Sequence, residues 1–444
     1  MEKSIFKNFS RYVSLNILGM VSISCYILTD TYFISKALGH QGLAALDLST
    51  PMYSFIYAVA LMLAIGGSTR YSILKAKKDT IRANRVYSIC INVGLITGIL
   101  FAMIGIFFSN SLGILLGADI EILPMTEIYL RTILCFSPFF ILNDIILSFV
   151  RNDNNPNLPM IAILSGSFFN IVLDYIFIFY FDMGMFGAAF ATGLAPIISL
   201  VVLASYFIRA KNHFKYIPFK FNWSYLKDIS TLGLSAFVNE ISAAIVIITF
   251  NLVILNLEGN YGLASYAIIA NIDLVVFAVF NGLAEGIQPI ISKSHGLNDD
   301  FVLKKTLKYA LLTSLGLALL IYFALNFNAE SIIRAFNEEE NIKIAIIGKA
   351  GLKIYFIGYF FAGINITLTM FLTATEKARL AFLLSVLRGC IVIVPMVLVL
   401  SCLWKMTGVW LSFVLAELFV TVIAIFIMGV KSRQIIKLKF ENNS

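Results

Sequence analysis

Eight ionisable residues stand inside long apolar runs of this chain: Asp30, Asp144, Asp174, Glu240, Asp273, Glu285, Arg388 and Glu417. In hydrocarbon, a charge near the bilayer centre costs at least ~2.5–3.5 kcal/mol on insertion scales. Each of the eight must therefore be paired, protonated or turned toward water. Two of the acids share a pattern. Asp174 follows Asn170 by four residues, which places both on one helix face. At ~1.5 Å of rise per residue, counted from the ends of their runs, Asp30, Asp174 and Thr192 fall within about one turn of a common depth. Two carboxylates, an amide and a hydroxyl form an oxygen set that suits Na⁺. The same set suits a proton, because desolvation and a neighbouring like charge both favour a neutral carboxyl. The plain alternative is that Asn170 and Asp174 hydrogen-bond a neighbouring helix.

In the second half of the chain, Glu240, Asp273, Glu285 and Glu417 meet a single intramembrane base, Arg388, which is expected to neutralise one of them. The surplus of acid would draw cations into a water-filled cavity. Glu240, half way along its run, is the first choice for contact with a cation, with Asp273 and Glu285 as further candidates. Asp144, close to Arg151, reads as half of a helix-end ion pair. The 39 Phe, 19 Tyr and 13 Met mostly serve core and lipid contact. Some would line a cavity that tolerates varied flat cations through cation–π contacts and adaptable packing.

Composition decides what must position these residues. The chain has 444 residues, of which 59% are apolar and only 13% charged, and its mean hydropathy is +0.89. That charge is too sparse to cover the surface of two or three soluble domains, so a soluble enzyme is excluded. About 20 apolar residues cross a bilayer as a helix, and the runs fill the chain from end to end, so a single-pass receptor is excluded too. Cys25, Cys90, Cys135, Cys390 and Cys402 all fall in apolar runs without a CxxC and read as small buried hydrophobes. The three histidines, His40, His213 and His295, are too scattered for a zinc site. No phosphate loop and no nucleophile–base constellation is present, so neither an ATPase domain, an enzymatic activity nor a cofactor is expected. The first apolar run is too long for a signal-peptide core and is expected to stay in the protein.

Twelve spans follow: 12–38, 49–74, 86–108, 127–150, 158–180, 187–208, 229–256, 262–291, 303–326, 348–374, 379–403 and 406–430. Helices are required because hydrocarbon offers the backbone no hydrogen-bond partner, and the runs lack the alternation of barrel strands. Of 33 Lys and Arg, 25 lie at the two ends of the chain or around alternate loops. Acids such as Asp119, Glu121, Glu338, Glu339 and Glu340 mark the opposite loops. The net charge of +8 is therefore a topology signal and not a nucleic-acid surface, and it puts both termini in the cytoplasm. The long polar stretch 209–228, with His213, Pro218 and Trp223, divides residues 1–208 from 229–444 as a cytoplasmic linker between two six-helix lobes. The halves also match at a constant offset. Gly42-Leu43-Ala44-Ala45 recurs as Gly262-Leu263-Ala264-Ser265, Asn143 as Asn365, and Gly187 as Gly408. An even-span repeat keeps one orientation, so the pseudo-twofold axis runs along the membrane normal and the cavity lies at the lobe interface.

Several stretches carry a family pattern: Thr29-Asp30-Thr31 with Leu38-Gly39, Ile65-Gly66-Gly67-Ser68, Phe149-Val150-Arg151-Asn152-Asp153-Asn154-Asn155-Pro156, Asn170-Ile171-Val172-Leu173-Asp174, Gly187-Ala188-Ala189-Phe190-Ala191-Thr192 and Gly286-Ile287-Gln288-Pro289-Ile290. Taken in order on twelve spans, the chain resembles the multidrug and toxic compound extrusion (MATE) transporters of bacteria over nearly its whole length. The resemblance implies an antiporter of the bacterial plasma membrane. It would export small organic cations in exchange for Na⁺ or H⁺, by alternating access between the lobes, and work as a monomer. It places the coupling-cation site on Asp30, Asn170, Asp174 and Thr192, and it supports Asn239-Glu240 as the cation contact of the second half. There are departures. Span one has no proline, Gly19 being its only weak point, and Ser235 stands where many relatives have proline. The competing reading is a flippase for a lipid-linked sugar precursor. That cargo is anionic and calls for a basic cavity, against the acids counted above, and twelve spans rather than fourteen also count against it.

Overall fold

The computed structural model is described for residues 2–218, 223–336 and 341–441, with side chains as far as 427. Lys220 and the acidic loop residues Glu338, Glu339 and Glu340 lie outside the described residues, as do the side chains of Lys431, Arg433, Lys437 and Lys439.

The described elements are helices: α1 (Glu2–Ala76), α2 (Thr80–Leu115), α3 (Leu123–Cys135), α4 (Ser137–Asn152), α5 (Asn157–Tyr175), α6 (Gly184–Ile208), α7 (Trp223–Gly296), α8 (Asp300–Phe327), α9 (Ala329–Phe336), α10 (Ile342–Tyr355), α11 (Tyr359–Ala374), α12 (Ala378–Val386) and α13 (Ile393–Glu441). Their exterior is apolar, with residues such as Phe107, Leu115 and Leu320 fully presented to the surroundings, as lipid contact requires.

Three of these helices are far longer than a bilayer is thick, and each is broken once. In α1 the break is Gly39 (φ 61°, ψ −150°), in α7 it is Gly259 (φ 61°, ψ −148°), and in α13 it is Trp404–Lys405. Contacts show that α1 reverses at its break. Ser24 bonds the Leu274 carbonyl at 3.2 Å and Thr69 accepts from Gln288 at 2.7 Å. In a straight helix Ser24 and Thr69 would stand ~68 Å apart, yet their partners are only ~21 Å apart along α7. Up to nine apolar helical units are long enough to cross a membrane. With three of them folded back on themselves, the chain is an all-α, twelve-span bundle.

The spans hold, and the connections differ from expectation. No loop separates spans one and two, because the helix resumes directly after Gly39. Span four is two helices, α3 and α4, bent by 46° at Phe136, just before Pro138. Span five ends in a π-helical turn over Ile176–Tyr180, and span eleven contains another over Leu387–Ile391. Gly19 does not bend span one. It is a contact point, where an added Cβ would lie 3.3 Å from Ile163. Cys90 is buried, but Cys25 and Cys402 lie on exposed faces, so the cysteines are not uniformly core residues.

Two apolar cores form. One gathers residues between Ile34 and Ile229, the other between Phe250 and Ala424. A small third core joins them: Phe9 and Val13 of α1 pack on Leu283, Ile287 and Ile291 of α7. The lobes meet at the end of the bundle that carries the basic loops. There Arg70 pairs with Asp228 and Glu376, Arg151 with Glu285, Lys293 with Asn154, and Lys305 with Glu2. Gly66 and Gly233 press α1 and α7 together so closely that a Cβ on either would collide with the facing backbone. Among the described residues, no hydrogen bond joins the lobes farther from the basic end than Ser24–Leu274.

The described part of the stretch between the lobes is 209–218. It is irregular and pinned to the first core. Asp153, completely buried, accepts from Tyr71, Lys75, Tyr206 and the His213 backbone. Phe214 fills a cage of Tyr71, Tyr87 and Phe149. The backbone N–H groups of Lys215 and Ile217 bond Asn84 and Ser88.

Candidate functional site

Asp30, Asn170, Asp174 and Thr192 come from spans one, five and six, and all four side chains are buried. With its amide oriented to satisfy both neighbours, Asn170 donates to Asp174 Oδ2 at 3.2 Å and accepts from the Thr192 N–H at 3.3 Å. The Asp30 and Asp174 carboxylates lie within electrostatic range of one another. Asp30 Oδ1, Asp174 Oδ1 and Thr192 Oγ1 are buried, with no hydrogen-bond partner among the described residues. Buried polar atoms normally find partners, so these three orphaned oxygens, on residues joined through Asn170 or within electrostatic range, are available to a bound cation or proton. Pro196 has no N–H, so the Thr192 carbonyl lacks its helical donor. The π-turn begins two residues after Asp174, and such turns cluster at functional positions.

At the 220–221 residue offset of the repeat, these four positions hold Phe250, Ile391, Pro395 and Phe413. The second lobe has no copy of the oxygen set. Its own buried polar cluster is built differently. Arg388 Nε donates to Glu417 Oε1 at 2.5 Å, Asn365 donates to Glu417 Oε2 at 2.7 Å, and Thr421 donates to Asn365 at 3.0 Å. A guanidinium from the chain itself fills the cationic place.

A cavity of about 50 Å³ lies between the lobes at the floor of the cleft, lined by Glu240, Asn239, Glu285, Asn281 and Phe277 of the second lobe and by Leu61 and Ile65 of the first. Glu240 and Glu285 thus come together as expected. Asp273 does not join them: it accepts from the Tyr359 hydroxyl at 2.7 Å and is absent from the cavity wall. Toward the end away from the basic loops, a wider hollow of about 450 Å³ opens between Asp47 and the Asn251, Leu255 and Tyr266 side of α7.

Sequence reasoning gave two residues the wrong partners here and missed a third. Arg151 does not pair with Asp144; its Nη1 reaches across to Glu285 Oε2 at 2.5 Å, because the second lobe packs against the end of α4. Asp144 instead lies within electrostatic range of Glu285, Arg151 and Glu240. Tyr53, stacked on Tyr57, lies within such range of Asp30, Asp144 and Glu240, between the first-lobe site and the cavity. Its position four residues before Tyr57 was a readable signal, since both rings must share a helix face.

The sequence profile of the MatE family matches residues 16–176 and 236–399, and the chain belongs to this family of membrane transporters. Among curated relatives, the multidrug export protein MepA of Staphylococcus saprophyticus is 28% identical over 423 residues, covering 94% of this chain and 92% of that protein. MepA of Staphylococcus haemolyticus is 28% identical over 430 residues, covering 96% and 94%. Among solved structures, the outward-facing conformation of a multidrug resistance MATE transporter superposes with a TM-score of 0.91, at 22% identity, over 97% of this chain and 96% of that one. An Asp→Asn variant of the Vibrio cholerae MATE transporter VcmN gives 0.90 at 20% identity, over 98% of each chain. At these identities the structures establish the fold, with its twelve helices in two lobes.

Proposed function

We propose that this chain is a secondary antiporter of the bacterial plasma membrane that exports small organic cations in exchange for Na⁺ or H⁺. The observation that carries the reading is the buried pair Asp30–Asp174 with its orphaned oxygens, set apart from an acid-lined cavity between the lobes. One site suits a small coupling cation; the other, about 50 Å³ in this lobe arrangement, would widen to take a larger organic one as the lobes part. The acidity of the cavity favours cationic over anionic cargo. The multidrug export named for the staphylococcal relatives agrees with this choice. Residues 1–208 and 229–444 serve as the moving lobes and 209–228 as their linker. The basic end faces the cytoplasm by the positive-inside rule. In that orientation the lobes are sealed toward the cytoplasm and parted toward the outside. Coupling follows from differential affinity: the cation on Asp30 and Asp174 stabilises one lobe arrangement and the cargo the other. The monomer contains both sites.

The test is dye-cation flux into proteoliposomes under a Na⁺ gradient alone and then a pH gradient alone. Asp174→Asn is expected to fold and to lose gradient-driven flux. Unimpaired flux in that variant would remove the site assignment. Absence of flux under both gradients, for several cations, would remove the antiport reading.

A further inference from the structure

Glu285 belongs to two arrangements at once. It lines the central cavity beside Glu240, Asn239 and Asn281, and it takes the Arg151 guanidinium across the lobe boundary at 2.5 Å. The two side chains are 11% and 7% exposed. Pulling a buried pair apart and leaving one charge alone is strongly unfavourable. Alternating access nevertheless requires the lobes to part at this end, so each partner must find a replacement.

Arg151 has one in its own lobe. Asp144 lies seven residues earlier on α4, two turns back on the same face, within electrostatic range. The side chain of a helical arginine leans toward the helix N-terminus, hence toward Asp144. Among the described residues, Glu285 has no such reserve. Arg388 stacks over the cavity-lining Phe277, but its Nε is committed to Glu417. The backbone is loosened at this very place, because Pro289 deprives the Glu285 carbonyl of its helical donor.

We propose that Arg151 and the transported cation compete for Glu285. The guanidinium holds this carboxylate while the basic end is shut. A cation in the cavity takes its place when that end opens, and Arg151 turns to Asp144. This deepens the cation-export reading and rests on it: Glu285 reports cavity occupancy to the seal. A buried charge pair coupled by more than ~1.5 kcal/mol shifts a competing equilibrium by at least about tenfold.

The experiment measures equilibrium binding of tetraphenylphosphonium to the purified full chain. It also measures the distance between spin labels at positions 77 and 304, on opposite lobes at the basic end, in a cysteine-free background. Arg151→Met is expected to bind the probe at least about tenfold more tightly and to lengthen the distance; Glu285→Gln is expected to bind it at least about tenfold more weakly. The exchanged pair, Arg151→Glu with Glu285→Arg, keeps an ion pair at the seal and guards against a misfolded single variant. It is expected to restore the short distance without restoring affinity, since the carboxylate has moved to the other lobe. Wild-type binding that neither single variant alters would overturn the competition alone. A wild-type protein that binds no organic cation would overturn the export reading and this inference together.

Discussion

Gly39 and Gly259 stand 220 positions apart and hold the same left-handed backbone, φ 61° in both, with ψ −150° and −148°. Each is the point where a two-span helix reverses. Lys78 and Asn298, also 220 apart, and Asn154 and Glu376, 222 apart, repeat the correspondence in positive φ. A Cβ added at either glycine would meet nothing within 4 Å. The cost of Gly39→Ala and of Gly259→Ala is therefore backbone strain alone, ~1–3 kcal/mol each. Thermal unfolding in detergent should show two similar losses. A several-fold larger loss at one position would deny that the turns are equivalent.

Gly233 sits where α7 presses on α1, and an added methyl would collide with the Met62 carbonyl. Gly233→Ala should wedge the basic end apart while leaving each lobe core intact. Labels at positions 77 and 304 should then move apart by several ångströms, with far-UV circular dichroism unchanged. An unchanged distance would mean that the seal does not depend on this contact.

Arg388 and Glu417 form a buried pair with side chains 13% and 3% exposed. Arg388→Met alone abandons Glu417 and should cost ~3–5 kcal/mol, whereas Arg388→Met combined with Glu417→Gln should recover most of that loss. A double-mutant cycle on unfolding free energies reads the coupling directly. A coupling near zero would show that the pair contributes nothing to the second lobe.

Glu376, between spans ten and eleven, is held below its ordinary value of 4.5 chiefly by His295, whose Nε2 lies 3.6 Å away, opposed by partial burial and aided by Arg70 of the other lobe. A carboxylate lowered on folding contributes stability that is complete above its unfolded value and fades as the pH falls through its folded value. Wild type should therefore melt above Glu376→Gln near neutrality, and the two should converge as the pH drops below 4.5. A gap that persists or grows in acid would assign the effect to packing.

Much of the architecture was legible because lipid allows few solutions. Long apolar runs had to be helices, and basic loops had to share a side. The depth of Asp30, Asp174 and Thr192 could be counted because helical rise is fixed. What failed to show was anything set by contact between helices. Arg151 was assigned to Asp144, its neighbour on one helix, when the structure gives it to Glu285, 134 residues away. Asp273 was counted among the cavity acids as part of the acidic surplus of the second half, but Tyr359 claims it. Periodicity orders residues along an element, and carries no record of which neighbour arrives from outside.

The clamp on residues 209–218 turns the connection between the lobes into a leash of known length. Ile217 is tied to Ser88 of the first lobe, and α7 of the second begins at Trp223. Six residues fully extended reach at most about 20 Å. However far the lobes swing, these two anchor points cannot separate beyond that radius. Opening on this side must therefore resemble a door held by a chain, widest away from the tether.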